Sequence, residues 1–243
     1  MKIEIDTHTH TILSGHAHST LIENAQCARK AGLKGFVVTD HGPEIQGAAP
    51  EFIIGTYYMF PGKIHGVRIY KGTEANITNF QGDIDITAPY LKKLDFVIAS
   101  LHDIVIDPGT KEQNTAAILG ALNNPYVDAI GHPGNPYFEA DYDAVTAEAK
   151  RLGKLLEINN HSFTARKGSL ENCSKIIRLC KENGVRIVVS SDAHICFKVG
   201  AFENSIREVE AEDFPKEMVV NRTVRSFEAY LSERKERILK VES

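Results

Sequence analysis

Histidines and carboxylates recur at one kind of position in this 243-residue sequence, namely the end of an apolar, strand-like run. The first such run contains Ile3 and Ile5 and leads into His8 and His10. Imidazoles and carboxylates are common protein ligands of divalent metal ions, and one ion takes only about three or four ligands of this kind. More groups are present here than one ion needs, which predicts a polynuclear metal site. The groups are His8, His10, His41, Glu74, His102, His132, Asp192 and His194.

The first strand and the loop behind it supply an unusual density of imidazoles. Strand pleating turns His8 and His10 to the same side, so both can reach one ion. His16 and His18 lie in the following loop, which can fold back over the site. Spacing alone favours neither of these two histidines as a further ligand.

Apolar runs of strand length follow one another roughly 30 residues apart. Alternating strands and helices indicate a parallel sheet, and polar groups at the carboxyl ends of so many strands converge only if that sheet closes into a barrel. We therefore predict an α/β fold, a seven-stranded TIM-like barrel of the (β/α)7 type, that forms a single domain over residues 1–243. The predicted strands lie near 2–7, 35–40, 67–73, 95–101, 127–131, 155–159 and 186–191. The predicted helices lie near 21–31, 88–94, 115–122, 142–152, 169–183 and 201–210.

Two further segments are predicted outside the repeated strand and helix units. Residues 77–86 alternate apolar and polar side chains around Gly82 and Asp83, which indicates a hairpin inserted after the third strand. Residues 223–239 form a helical pattern of heavy mixed charge. We expect this helix to cover one end of the barrel.

Composition limits the partners of the protein. Apolar residues make up 42% of the chain, enough for one large core, and the formal charge of -4 gives no general attraction to nucleic acid or anionic membranes. No apolar run approaches the roughly 20 residues of a membrane span, and the sequence opens without a signal-peptide pattern. We expect a cytoplasmic protein without a nucleic-acid or membrane partner.

The four cysteines are predicted to be free thiols. Cys27, Cys173, Cys180 and Cys196 contain no C-x-x-C pair, which disfavours a thiolate zinc site. Cys196 lies two residues beyond His194 and could approach the metal site, although packing in the core is the preferred interpretation.

A basic turn follows the sixth predicted strand. Arg166 and Lys167 precede Gly168 and Ser169, which open a predicted helix. Two cations beside a helix amino terminus are suited to bind a phosphate group, and a solvated surface turn is the alternative. His161 lies at the same end of the barrel, where it could contact a substrate or simply be exposed.

Six segments together resemble the PHP (polymerase and histidinol phosphatase) family, and most closely its YcdX-type phosphatase subgroup. The resemblance covers nearly the whole chain and implies a distorted seven-stranded barrel. The segments are residues 6–10 (DTHTH), 39–43 (TDHGP), 72–76 (GTEAN), 131–136 (GHPGNP), 157–160 (EINN) and 191–194 (SDAH).

The resemblance also implies a set of ligands and roles. Three divalent ions are expected, Zn²⁺ in the first place and Mn²⁺ or Fe²⁺ as alternatives, and the resemblance favours His16 over His18. It implies a homo-oligomer, with a trimer as one candidate. The first ion would be held by His8, His10, Glu74 and Asp192, the second by Glu74, His102 and His132, and the third by His16, His41 and His194. The expected catalytic residues are Glu74, Asp192, His194 and Arg166, and the expected substrate contacts are Arg166, Lys167 and His161.

These residues predict a metal-dependent phosphatase for small phosphomonoesters. Metal ions would lower the pKa of a bridging water to near neutrality, and the resulting hydroxide would attack phosphorus in line while the ions neutralise charge on the phosphoryl oxygens. No protein nucleophile is needed.

Three other functions stay open. Metal-dependent amidohydrolases also pair a first-strand His-x-His with a last-strand aspartate, but they usually place a bridging lysine at the fourth strand, where this chain has His102. A phosphodiesterase or nuclease-like hydrolase would be expected to carry a basic stripe, which the sequence lacks. A metal-stabilised binding module without turnover would be expected to lack ligands, and none is missing.

Overall fold

A computed structural model of the protein describes residues 1–242, which form one sheet of eight strands flanked by helices. Seven strands are mutually parallel, and the short β3 pairs antiparallel with β4. The strands are β1 (Ile5–Thr9), β2 (Gly35–Val38), β3 (Lys63–Ile64), β4 (Val67–Asn76), β5 (Phe96–Ser100), β6 (Ala129–Ile130), β7 (Leu155–Asn159) and β8 (Ile187–Ser190). The α-helices are α1 (Leu21–Lys30), α2 (Ala88–Leu91), α3 (Lys111–Asn123), α4 (Tyr142–Leu152), α5 (Ser162–Ala165), α6 (Ser169–Asn183), α7 (Glu203–Ala211) and α8 (Val224–Glu242).

The sheet closes between its first and last strands. The backbone N–H of His10 donates to the carbonyl oxygen of Ala193 at 2.9 Å. Lower in the same seam, the buried Asn221 amide donates to the carbonyl oxygens of Ile5 at 2.7 Å and Val189 at 2.6 Å. A side chain thus satisfies backbone groups that the strands leave unpaired. The seven parallel strands form a nearly closed α/β TIM-like barrel, and the predicted fold class is confirmed.

Apolar side chains fill the barrel and α8 covers its lower end, where the strands begin. Phe227 packs its ring against Tyr70 and Phe96, with centroids 5.0 and 5.6 Å apart. Tyr230 lies beside Phe96 and is also fully buried. The prediction that the C-terminal helix covers one end of the barrel is therefore confirmed. Inside the barrel lie Ile5, Val37, Ile98, Ala129, Leu155 and Val188.

A buried ionic cluster fastens α8 to the sheet. The Asp128 carboxylate accepts hydrogen bonds from Arg234 Nε at 2.7 Å and Arg237 Nη2 at 2.8 Å. It also accepts from the Tyr230 hydroxyl at 3.1 Å and from the backbone N–H of Val97 at 2.9 Å. Each charge is paired, as a buried charge must be.

The predicted element boundaries are accurate for some helices and displaced for others. Helices α4 and α6 have the predicted bounds, whereas α3 begins at Lys111, four residues before the predicted start. Thr110 and Gln113 form a reciprocal capping box there, which starts the helix ahead of its apolar face. The predicted hairpin after β4 reduces to a single antiparallel bridge between Ile77 and Ile84.

All four cysteines are free, as predicted, and Cys27 is the one that is partly exposed. None of the helices in residues 1–242 combines the length and the apolarity needed to cross a membrane.

Candidate metal centre

The predicted ligands gather at the upper end of the barrel, where the parallel strands end. His8 and Glu74 lie within β1 and β4, near the carboxyl ends of these strands. The others follow the strands by a few residues, because the chain leaves the sheet before it turns into the next helix. Those that follow a strand are His10, His41, His102, His132, Asp192 and His194.

Glu74 occupies the middle of the cluster. Its Oε2 lies 2.9 Å from His41 Nδ1, 3.1 Å from His8 Nε2 and 3.5 Å from His10 Nε2. Its Oε1 lies 3.0 Å from His132 Nε2 and 3.3 Å from His102 Nε2. One buried carboxylate therefore faces five imidazoles from four segments of the chain, a geometry in which it can bridge two ions.

Asp192, just after the last strand, faces His8 and His10, as Glu74 does, and also faces His194. Its Oδ1 is 3.2 Å from His10 Nε2, and 3.5 Å from both His8 Nε2 and His194 Nδ1. Asp192 has a φ of 54° and His132 a φ of 29°, and residues other than glycine seldom adopt these backbone conformations. Strain of this kind concentrates at functional sites, where the surrounding structure holds it in place.

The loop after β1 brings His16 to the cluster. Its Nε2 lies 2.9 Å from His194 Nε2, and its ring stacks on that of His41 with centroids 5.0 Å apart. Gly15, with a φ of 81°, lets the loop turn here, because a Cβ at this position would lie 2.4 Å from the carbonyl carbon of Gly47. His18 lies in the same loop and lines a cavity above the cluster, and its backbone N–H donates to the carbonyl oxygen of His194 at 2.8 Å.

The donor set fits divalent metal ions. Three buried side-chain atoms at the centre of the cluster have no hydrogen-bond partner among the described residues: His8 Nε2, His41 Nδ1 and Glu74 Oε2. Leaving such atoms unpaired in a protein interior is costly, and bound metal ions would satisfy them. Among the described residues, three sets of three side chains each have their donor atoms within 4.8 Å of one another. The sets are His10, His41 and His194; His8, His10 and Glu74; and His41, Glu74 and His102.

The electrostatics of Glu74, His132 and His194 suit cation binding. Burial opposes ionisation of Glu74, but the imidazoles around it, His8 first, outweigh burial and hold its pKa well below the ordinary value. Burial lowers the pKa of His132 to about 4 and that of His194 to about 4. Neutral imidazoles and ionised carboxylates are the forms that bind metals.

Sequence reasoning missed the polar residues that hold the ligands. Asn76 Oδ1 lies 2.7 Å from His102 Nδ1, and the Ser14 hydroxyl lies 2.9 Å from His10 Nδ1. Ser14 in turn donates to the buried Asp40 carboxylate at 2.6 Å. Glu157 lies 2.6 Å from His8 Nδ1. For Glu157 the sequence offered two signals: its place in the 157–160 segment, and its polarity within a run of buried leucine and isoleucine.

A cavity of about 430 Å³ opens above the cluster. Arg166 lines it, with Nη2 3.6 Å from Asp192 Oδ2 and Nη1 3.0 Å from the Ser162 hydroxyl. His161 lines it as well, and its ring centroid is 6.2 Å from that of His194. Lys167, Gly168 and Ser169 are not among the lining residues, so the predicted basic turn contributes one cation to the cavity. Cys196 is buried and does not line the cavity either.

The outer wall of the cavity is apolar and exposed. Ile104, two residues beyond His102, is 68% exposed, and Tyr137 is 65% exposed. The Asn135 side chain accepts a hydrogen bond from the backbone N–H of Tyr137 at 3.2 Å, and Phe138 anchors the same turn in the core. An aromatic ring is thus held at the mouth without a covering partner among the described residues.

Comparison with known proteins identifies the family of this chain. The PHP domain family matches residues 6–163, and probable phosphatases match the chain almost end to end. One from Acetivibrio thermocellus is 50% identical over 238 residues, which span 98% of this chain and 99% of the relative. One from Caldicellulosiruptor bescii is 46% identical over 231 residues, 95% of this chain and 96% of the relative. The chain therefore belongs to the PHP family.

Two solved structures share the fold. Histidinol phosphate phosphatase from Lactococcus lactis, crystallised with zinc, L-histidinol and phosphate, superposes with a TM-score of 0.62 at 17% identity, covering 88% of this chain and 95% of that chain. A chain of archaeal ribonuclease P, solved with mature tRNA, superposes with a TM-score of 0.55 at 14% identity, covering 96% of this chain and 91% of that chain. Such low identities establish the fold alone, and one fold hosts many functions.

Proposed function

We propose that this protein is a metal-dependent phosphatase that hydrolyses small phosphomonoesters at a trinuclear centre. The observation that carries the proposal is the Glu74 carboxylate, which faces five imidazoles below a cavity with one arginine in its wall. Relatives named probable phosphatases that align over nearly the whole chain support it.

The ligands divide into three overlapping sets. In the proposed centre the first ion is held by His8, His10, Glu74 and Asp192, the second by Glu74, His102 and His132, and the third by His16, His41 and His194. The distances from Glu74 and Asp192 to these imidazoles support the first two sets, and the contacts of the His16 ring support the third. A donor set of mostly neutral imidazoles favours Zn²⁺, while the two carboxylates also suit Mn²⁺ or Fe²⁺.

The protein side chains divide the remaining work. When bound, divalent ions supply a nucleophile at neutral pH and neutralise charge on the phosphoryl oxygens. Arg166 donates its guanidinium hydrogens to the phosphate, and its bond to Ser162 holds it in the cavity wall. His161 contacts the ester from the same wall. Glu74, Asp192 and His194 would act on the reacting phosphate only through the ions that they hold.

The cavity suits a small substrate with a single phosphate group. A volume of about 430 Å³ is at the low end of the range for small-molecule sites. Arg166 is the one arginine or lysine that lines it among the described residues, which favours one anionic group over two.

The alternatives have weaker support. An amidohydrolase would use a bridging lysine, and no lysine lines the described part of the cavity. A nuclease-like hydrolase would need a basic track for the nucleic acid backbone. The likeness to a ribonuclease P chain adds nothing here, because it concerns the fold alone.

Metal content and phosphatase activity test the proposal on the same sample. Elemental analysis of the purified protein should give close to three divalent ions per chain, and p-nitrophenyl phosphate hydrolysis should stop on chelation and return on adding Zn²⁺ or Mn²⁺. Bound ions without phosphatase activity would redirect the search to diesters and amides. No bound metal after reconstitution would refute the metal centre itself. The expected homo-oligomer, cytoplasmic location and 1–243 domain extent stay predictions.

A further inference from the structure

Glu157 is a buried carboxylate that lies under the metal cluster without belonging to it. It projects from β7, and its side chain is fully inaccessible to solvent. Its two oxygens accept hydrogen bonds on different sides. Oε1 faces His8 Nδ1 at 2.6 Å and the Ser190 hydroxyl at 2.5 Å, while Oε2 accepts from the backbone N–H of His132 at 2.6 Å and from Asn159 Nδ2 at 3.2 Å.

The contact to His8 fixes which ring nitrogen is free. A carboxylate acceptor at Nδ1 keeps the proton on that nitrogen, so Nε2 presents its lone pair. That Nε2 lies 3.1 Å from Glu74 Oε2 and has no hydrogen-bond partner among the described residues. Glu157 thus orients the ring of His8 and prepares its other nitrogen to bind a cation.

The contact to His132 acts on the backbone. His132 has a φ of 29°, and a strained residue persists only when its surroundings hold it. Its N–H donates to Glu157 Oε2, while its ring reaches Glu74 Oε1 at 3.0 Å through Nε2. The Glu157 carboxylate therefore orients the His8 ring through a bond to the ring itself, and positions the His132 ring through a bond to the His132 backbone.

We infer that Glu157 is a positioning residue that couples the first and second proposed metal sites, because it holds His8 of the first and His132 of the second at once. The inference rests on the proposed trinuclear centre. The third site has no contact with Glu157 among those observed: His16 lies in the loop after β1, and His41 and His194 follow β2 and β8. Loss of the carboxylate should release ions selectively.

Glu157→Gln keeps the size of the side chain but replaces one acceptor with an NH₂ donor. Whichever way the amide turns, that donor meets other donors, either His8 Nδ1–H and the Ser190 hydroxyl or the His132 N–H and Asn159. We expect metal affinity at the first two sites to fall roughly 10- to 100-fold, as is typical when the partner of a metal-binding histidine is removed. The third ion should stay.

The test is metal content per chain during dialysis against rising concentrations of a weak chelator. At a chelator concentration at which Glu157→Gln keeps one ion per chain, the wild-type protein should keep close to three. Reconstitution with Co²⁺ adds a second readout, since its visible spectrum reports on coordination independently of activity. Asp128→Asn is the matched control: it alters another fully hydrogen-bonded, buried carboxylate at the opposite end of the barrel and should keep all three ions.

Two results would separate the inference from the proposed function. Three ions in wild type and three in Glu157→Gln, released at the same chelator concentration, would overturn the coupling role alone. A wild-type protein that binds no ion would overturn the proposed centre and the inference with it. If Glu157→Gln fails to fold, Glu157→Asp keeps the charge on a shorter side chain and should lose ions to an intermediate degree; wild-type retention by that variant would also overturn the role.

Discussion

Glu74 and Arg166 illustrate how single residues divide the work of the proposed site. Glu74 is enclosed by imidazoles and has no access to solvent, so its charge is available to cations and little else. Arg166 is 18% exposed in its side chain and lines the cavity, where its charge can reach a ligand. The buried residue is suited to hold metal and the partly exposed one to bind substrate.

Arg166→Ala should raise the KM for p-nitrophenyl phosphate roughly 10- to 100-fold, because a charge-assisted hydrogen bond to the phosphate is lost. Steady-state kinetics with elemental analysis of the same preparation measure the effect, and metal content should stay at the wild-type value. Lys167→Ala is the control, since that neighbouring cation is exposed and lies outside the cavity lining. An unchanged KM in Arg166→Ala would contradict the phosphate-binding role.

Tyr137→Ala should impair aryl esters selectively. The exposed ring at the cavity mouth can pack against an aromatic leaving group, a contact typically worth about 1 kcal/mol. We expect kcat/KM for p-nitrophenyl phosphate to fall roughly three- to tenfold while that for glycerol phosphate changes little. Tyr58→Ala serves as the control, because Tyr58 is exposed but does not line the cavity. Equal losses on both substrates would argue against packing on the leaving group.

At the scale of elements, the strands carry the chemistry at one end and α8 closes the other. Every proposed metal ligand lies in or just after a strand or in the loop behind β1. The aromatic rings of α8 complete the core below them, and the Asp128 cluster fixes its position. Stability and metal binding are thus assigned to opposite ends of the same strands.

Asp128→Asn should destabilise the protein by about 3 kcal/mol, because it leaves Arg234 and Arg237 without their buried counter-charge. Urea unfolding measures the loss, with metal content expected to remain unchanged. Glu233→Gln removes the partner of Arg186 in a solvent-exposed ion pair and should cost less than about 1 kcal/mol. Similar losses in the two variants would mean that the buried cluster contributes no more than a surface pair.

At the scale of the whole molecule, Lys154 is the one buried lysine among the described residues, and it lies at the lower end of the barrel. Lys154 Nζ donates to the carbonyl oxygens of Asn124 at 3.0 Å and Pro125 at 3.3 Å, and also to that of Val127. Burial lowers its pKa to about 7, assisted by the positive charge of Arg237 and Arg234 and opposed by Asp128. The unfolded chain therefore binds more protons than the folded one between about pH 7 and its ordinary pKa of 10.5.

This difference predicts that Lys154 contributes a rise in the free energy of unfolding as pH increases from 7 towards 10. Urea unfolding of the wild type and Lys154→Met at pH 7.5 and 9.5 isolates the contribution, and the variant should show the smaller rise. Lys150→Met is the control, since Lys150 also donates to a carbonyl oxygen, that of Gly184, but is exposed. The same pH slope in Lys154→Met and wild type would refute the prediction.

The sequence by itself determined the fold class and which residues converge. The period of strands and helices and the apolar content of the strands are local properties, and a parallel barrel brings all strand ends to one rim. His8, His41, Glu74 and Asp192 could therefore be placed together from their positions along the chain. The bounds of α4 and α6 could also be predicted from the local sequence, because an apolar face and a terminal glycine define each helix.

Only the tertiary structure decided which neighbours share a contact. The contact between His16 and His194 depended on how one loop turns at Gly15, and the separation of Arg166 from Lys167 depended on which side chain faces the cavity. Glu157 belonged to the 157–160 segment of the family resemblance, but that segment did not reveal its role, since the role depends on His8 and His132, which are far from it in sequence. Hydrogen bonds depend on atoms a few ångströms apart, and such distances are fixed only when the barrel closes.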